Sequence, residues 1–250
     1  RYVLDMHDRF FGRAASLLAR ICMSVWRRYL QKWDVAASER VDYFLANSRN
    51  IAAKIQKLYR RHATVIHPPV DLDKFRLGDR QEAYYLMVSA LVPYKRLDIA
   101  IHAFNELGLP LKIVGEGPLR RRLEQSAGSN IEFLGWVDDP VLVELYGSCQ
   151  ALIFPGEEDF GIVPLEAQAC GRPVIAYEKG GALETVTPAE ANGGGGSPPT
   201  GIFFPRQCAA ELINAVELYR KISGRFDPEK IRDLAAQFSR QGFKDHIHGH

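Results

Sequence analysis

The chain has 250 residues, 46% of them hydrophobic, enough for one substantial core and the composition of an ordinary globular protein. Its 32 basic residues nearly balance 30 acidic ones, so a net charge of +2 gives no whole-molecule argument for nucleic-acid binding. Cys22, Cys149, Cys170 and Cys208 are far apart, with no C-x-x-C pair and no His at metal-ligand spacing, which points to reduced thiols rather than a disulfide or zinc framework. No apolar run reaches bilayer length and no secretory signal pattern is present. The expected location is the cytoplasm, with peripheral contact at the inner face of the membrane left open.

Residues 10 to 33 place Phe10, Ala14, Leu17, Leu18, Ile21, Val25, Trp26, Tyr29, Leu30 and Trp33 at three- and four-residue steps, which predicts a helix. Arg13, Arg20, Arg27, Arg28 and Lys32 occupy its other faces. Such a stripe packs on a neighbouring domain or, with its cations and aromatics, lies on a membrane surface. Val41 to Ser48 reads as a short buried strand ending in an Asn-Ser cap, and Arg49 to Tyr59 as the helix it starts. Pro68 and Pro69 keep Val65 to Val70 extended, and residues 68–83 are expected to link into a second domain.

From Tyr84 on, short apolar runs alternate with helical patterns, the signature of a parallel sheet covered on both faces. The predicted strands are 85–89, 111–114, 131–134, 151–154 and 173–176, with Ile202 and Phe203 as a last edge. The predicted helices are 97–107, 118–126, 140–146, 164–170, 209–221 and 228–238, the last opened by Asp227 as N-cap and Pro228 at its first position. Pro188 to Thr200, with glycines at 193–196, predicts a mobile, solvated loop. His246, His248 and His250 read as a terminal tail, residues 239–250 being a final helix and tail.

The densest chemistry lies in Pro155-Gly-Glu-Glu-Asp-Phe-Gly-Ile-Val-Pro-Leu-Glu166. Glu158 and Glu166, seven residues between them, follow an apolar strand on a loop and the expected first turn of a helix. An ionised carboxylate only accepts hydrogen bonds and can use both oxygens, so it suits the vicinal hydroxyls of a ribose or hexose. Gly161 permits close backbone approach before that helix, whose free N–H groups attract phosphate or hydroxyl oxygen. In an open parallel sheet the ligand lies at the carboxyl ends of the strands, so the loops after residues 89, 114, 134 and 154 line one crevice.

Together with Ser89-Ala-Leu-Val-Pro-Tyr-Lys-Arg-Leu-Asp98, Val114-Gly-Glu-Gly-Pro118, Phe133-Leu-Gly-Trp-Val-Asp138, Gly180-Gly-Ala-Leu-Glu-Thr185 and Gly201-Ile-Phe-Phe-Pro205, this segment resembles the retaining glycosyltransferases of family four, enzymes of the GT-B fold. The resemblance covers about residues 40 to 245. It implies an α/β chain: residues 1–67 as the end of an acceptor-side Rossmann-like domain, then 84–238 as the Rossmann-like domain that binds a nucleotide-sugar donor. On this likeness Arg1-Tyr2 is the tail of a His-Thr-Pro-x-Arg-Tyr segment.

The resemblance assigns Lys95 to neutralising the departing diphosphate, Glu158 to hydroxyls of the transferred sugar and Glu166 to the ribose. Both Lys95 and Glu158 then count as catalytic. Asp159, Phe160, Gly161 and Ile162 line the donor site, while Gly115, Gly135, Trp136 and Val137 approach the base. Where relatives carry an Arg, this chain has Ala90, and Arg96 is the candidate substitute. The implied function is transfer of a hexose, mannose favoured, from a nucleotide sugar to a glycan or lipid-linked acceptor with retention, in polysaccharide biosynthesis. A GDP-sugar is favoured over a UDP-sugar, with no cofactor and no metal, since the donor half lacks an Asp-x-Asp site. The alternatives are a nucleotide-sugar epimerase of the same fold, or a non-catalytic membrane-associating module using residues 10–33.

Overall fold

The computed structural model describes residues 17–189 and 198–249 of the chain. The expectations for residues 1–16, for the centre of the 188–200 loop and for His250 fall outside them. Two units divide between Val65 and Ile66.

The first unit contains α1 (Leu17–Ser38), β1 (Leu45–Ala46), α2 (Arg49–Tyr59) and β2 (Thr64–Val65). Helix α1 runs on to Ser38, whose hydroxyl bonds the Val35 carbonyl at 2.6 Å, and Trp26, Tyr29 and Trp33 are all exposed. Ser48 caps α2 as its sequence predicts, accepting from the Ile51 N–H at 3.1 Å. The strand expected over 41–48 shrinks to two residues, and Tyr43 within it is 85% exposed. The ladder offered by β2 is only two residues long, so the rest of the run has no strand to pair with.

The second unit is an α/β domain around β3 (Tyr85–Val88), β4 (Leu111–Val114), β5 (Ile131–Gly135), β6 (Leu152–Phe154), β7 (Val174–Tyr177) and β8 (Gly201–Phe204). All pair in parallel, in the order β5-β4-β3-β6-β7-β8. Between them run α3 (Leu97–Leu107), α4 (Arg120–Ser126), α5 (Asp139–Ser148), α6 (Ile162–Ala169) and the short α7 (Ala182–Thr185), followed by α8 (Ala209–Ile222), α9 (Pro228–Ala236) and α10 (Arg240–His248).

Successive strand side chains point to opposite faces, and both faces are apolar because both are covered. Tyr85, Met87, Ile153 and Ile175 join Ile101, Phe104, Leu123 and Val216 of α3, α4 and α8 in one core. Their neighbours Leu86, Leu152, Phe154 and Val174 join Tyr146, Leu165 and Ala235 of α5, α6 and α9 in the other. Asp227 with Pro228 opens α9 as expected, and the structure adds a cap at Asp138, which accepts from the Val141 N–H at 3.2 Å.

The 68–83 stretch packs on this second unit. Val70 and Phe75 are buried, and the Val70 N–H bonds the Phe238 carbonyl at 2.8 Å. Arg232 of α9 gathers the carbonyls of Leu72 at 2.9 Å, Phe75 at 2.6 Å and Ala169. Buried Arg172 does the same for Arg80 and Gly147. Both guanidinium groups satisfy loop and helix-end carbonyls that burial would otherwise leave unpaired.

Two glycines separate backbone conformation from packing. Gly108 ends α3 at φ 65° with open space around it, so Gly108→Ala meets only the left-handed backbone cost of about 1 kcal/mol. A Cβ on Gly201 would sit 2.2 Å from the Val174 carbonyl oxygen inside the sheet, so Gly201→Ala is expected to cost about 3 kcal/mol or more. Parallel thermal denaturation of the two variants checks this, and equal losses would contradict the packing argument.

Candidate active site

Strand β3 lies mid-sheet; the chain builds outward through β4 and β5 on one side and through β6, β7 and β8 on the other. Loops leaving β3 and β6 therefore diverge, and a crevice opens at the carboxyl ends of these two strands. The loop after β3 carries Lys95 and the loop after β6 carries Glu158. Their charged ends meet: Lys95 Nζ forms an ion pair with Glu158 Oε1, the side chains being 19% and 15% exposed. Two largely desolvated charges demand each other, because either left alone would be costly.

Lys95 ends a single 3₁₀ turn, Pro93 to Lys95, started by Pro93. Arg96 then takes a left-handed conformation, φ 57°, before α3 begins, a strain typical of places where a fold must aim a side chain. Its guanidinium donates from Nε to Asp98 Oδ1 and from Nη2 to Asp98 Oδ2, both at 3.0 Å. Arg96 is thereby committed to Asp98, on the wall of a groove of about 320 Å³ that also includes His102 and Arg122, and the Lys95–Glu158 pair does not include it.

Glycines let the loops close on one another. A Cβ on Gly156 would lie 3.2 Å from Lys95 Cα, so the β6 loop passes against the lysine turn. The backbone of Glu158 pairs with Gly180, and its carbonyl accepts from the Gly181 N–H at 2.9 Å. A Cβ on Gly181 would collide with the Phe160 backbone at 2.2 Å. Phe160 is buried, Asp159 half-buried and Ile162 exposed. Gly161, at φ 82°, sits at the N-terminus of α6 and has no side chain to cap it.

Helix α6 begins at Ile162, two residues earlier than its sequence suggested, which moves Glu166 from the first turn to the second. Stabilisation by the helix dipole, which acts within the first turn, therefore does not account for this acid. Instead, Glu166 Oε2 accepts a 2.8 Å hydrogen bond from the fully buried Tyr146 hydroxyl of α5. Burial raises the Glu166 carboxyl above its ordinary value, while the Tyr146 hydrogen bond and the charge of Lys74 pull it back. Burial, with the Glu166 charge second, pushes the Tyr146 phenol well up. The tyrosine stays a donor.

Gly115, at φ 127°, lies so near Ser89 that a Cβ would be 2.0 Å from its carbonyl oxygen; its N–H bonds the Gly135 carbonyl at 2.7 Å. Gly135, at φ 70°, faces an exposed Glu116–Arg120 pair at 2.9 Å. Trp136 is 77% exposed, and Val137 packs against the second core. Among the described residues no three His, Cys, Asp or Glu side chains cluster as metal ligands, and no helix is long and apolar enough to cross a membrane.

The structure thus joins Lys95 to Glu158 and Gly115 to Gly135, and gives Glu166 a partner that sequence reasoning missed. Gly156, Gly180 and Gly181 lie inside the sequence motifs but had no role assigned to them, and Tyr146 stands out only as an apolar helical position. His67 gave no signal at all. Its imidazole stacks on Phe160 and meets Glu184.

An order-reversing parallel sheet with such a crevice defines the open, doubly wound class of α/β domain, in which ligands lie at the carboxyl ends of the strands. The family model for glycosyl transferases group 1 matches residues 71–238, and the chain belongs to that family. It is 32% identical over 217 residues to the O-antigen chain mannosyltransferase C of Escherichia coli, a match covering 80% of this chain and 57% of that protein. It is 38% identical over 117 residues to a GDP-mannose-dependent monoacylated alpha-(1-6)-phosphatidylinositol monomannoside mannosyltransferase of Corynebacterium glutamicum, covering 40% and 31%. The fold is that of Anabaena HepE in complex with UDP and glucose, with a TM-score of 0.75, 20% identity, and 88% of this chain and 65% of that one covered. The chain spans about half the length of the curated relatives it matches.

The raised Glu166 carboxyl makes a stability prediction. Above the ordinary value of 4.5 the unfolded chain releases this proton before the native one does, so its contribution to stability falls as pH rises through the raised native value. Glu166→Gln lacks that titration. The melting temperature of the variant minus that of the wild type should grow over this window and then level off. A difference that does not change with pH would contradict the burial of this carboxyl.

Proposed function

We propose that this chain is the donor-binding part of a retaining hexosyltransferase of family four, which takes a sugar from a nucleotide diphosphate to a glycan or lipid-linked acceptor. The observation that carries the reading is the Lys95–Glu158 ion pair at the point where strand order reverses. In the proposed reaction the bond between the sugar's anomeric carbon and the diphosphate oxygen breaks. The acceptor oxygen bonds to that carbon on the same face, and its proton passes to the departing phosphate.

Each residue has one task in this scheme. Lys95 retains donors beyond the one directed at Glu158 and neutralises charge developing on the diphosphate, an effect strengthened where water is scarce. Glu158 accepts from hydroxyls of the hexose, with its backbone held by Gly180 and Gly181. Glu166, steadied at one oxygen by Tyr146, offers the other to the ribose hydroxyls. The Gly115 and Gly135 turns approach the base through backbone atoms, with Trp136 exposed beside them. Asp159, Gly161 and Ile162 complete the donor wall.

Mannose carried on GDP is the favoured donor. The O-antigen and GDP-mannose-dependent relatives support it, whereas the similar HepE structure holds UDP and glucose. Polysaccharide assembly at the inner face of the membrane is the setting this donor and acceptor class would fit.

Calorimetry with GDP-mannose, UDP-glucose and UDP-N-acetylglucosamine tests the reading on the wild type, Lys95→Ala and Glu166→Ala. GDP-mannose should bind tightest. Loss of a charge-assisted contact should weaken it about 10- to 100-fold in either variant. Binding of none of the three donors would overturn the assignment, and wild-type heats in Glu166→Ala would remove the ribose role.

A further inference from the structure

His67 is the second residue of the second unit, outside every motif of the donor site, yet its contacts converge on the loop that carries Glu158. Its ring stacks on Phe160 with centroids 5.4 Å apart and planes 23° apart, and meets Phe238 edge-on at the same distance. Phe160 and Phe238 also touch, at 5.9 Å, so three rings form one cluster beneath the β6 loop. On its polar side, His67 Nε2 lies 2.9 Å from Glu184 Oε2, whose side chain is 10% exposed.

Glu184 belongs to α7, the short helix that starts directly after Gly180 and Gly181. Those two glycines hold the Glu158 backbone and press against Phe160. The imidazole therefore grips the β6 loop twice, through Phe160 from within and through Glu184 from the helix that follows the glycines paired with it. An apolar side chain would pack on Phe160 equally well. Only a ring with a polar nitrogen also reaches the carboxylate, which is why histidine suits the position.

We infer that His67 is a positioning residue for the hexose end of the donor site, acting through Phe160 and Glu184 on Glu158. This rests on the proposed assignment of Glu158 to the transferred sugar. A device that aims only Glu158 should affect a donor that carries a sugar and leave the nucleotide part alone.

The test measures binding of GDP-mannose and of GDP to the wild type, His67→Ala, His67→Phe, His67→Gln and Glu184→Gln, with hydrogen exchange of the same proteins free of ligand. His67→Ala should weaken GDP-mannose about tenfold while leaving GDP within about twofold, and should speed exchange across residues 157–162 but not in β4 and β5. His67→Phe and His67→Gln, each keeping one of the two contacts, should fall between. Equal losses for GDP-mannose and GDP, or unchanged exchange at 157–162, would overturn the inference. If the wild type binds neither ligand, the functional reading fails by itself, and the exchange result alone decides whether His67 orders this loop.

Discussion

The organisation of this domain depends on one topological constraint: the parallel strands are laid down outward from β3 in two directions. A parallel connection must cross over the sheet, and the crossovers on the two sides of β3 leave from opposite faces, so the loops after β3 and β6 part at their carboxyl ends. Whatever side chains those loops carry face a gap that the fold itself does not fill. Here they carry opposite charges, Lys95 and Glu158, each mostly shielded from water. Such a pair is weak evidence for stability, since apolar residues would fill the same space at no greater cost. Under the proposed function it is preorganised electrostatics for a ligand with both phosphate and hydroxyl groups.

Around that pair the backbone does most of the positioning. Gly156 brings the β6 loop against the Lys95 turn, and Gly180 and Gly181 lay a second segment along Glu158. Side chains then brace the backbone from further out. Tyr146, buried in α5, holds one oxygen of Glu166, and the His67 ring lies under Phe160 while reaching Glu184. Glu166 is thus held by a side chain locked in a packed helix, and the loop of Glu158 by an imidazole from the extended segment that precedes Pro68.

The pattern of residues made much of this legible. Helix 97–107 and strand 111–114 have the boundaries that apolar periodicity predicts, because a strand buried on both faces and a helix with one buried stripe leave distinct signatures. In the first unit Val41 to Ser48 is apolar enough for a strand, but pairing needs a partner, and among the described residues only Thr64 and Val65 supply one. Helix α6 was placed two residues late because Pro164 was taken as its first residue. Proline is tolerated anywhere in the first turn, where its missing N–H has no partner to lose, and Gly161 rather than Pro164 sets the start.

Sequence alone determined the layered α/β architecture, the strand loops that carry chemistry, and the identity of the acids and the lysine placed there, because periodicity and motif spacing are local properties. Only the tertiary structure decided which of these groups meet. It gave Lys95 to Glu158, set Tyr146 against Glu166 and brought His67 beneath Phe160 from 93 positions earlier in the chain. Contacts of that kind arise from the order in which strands assemble and from the space that glycines leave between loops, and neither is written in any short stretch of residues.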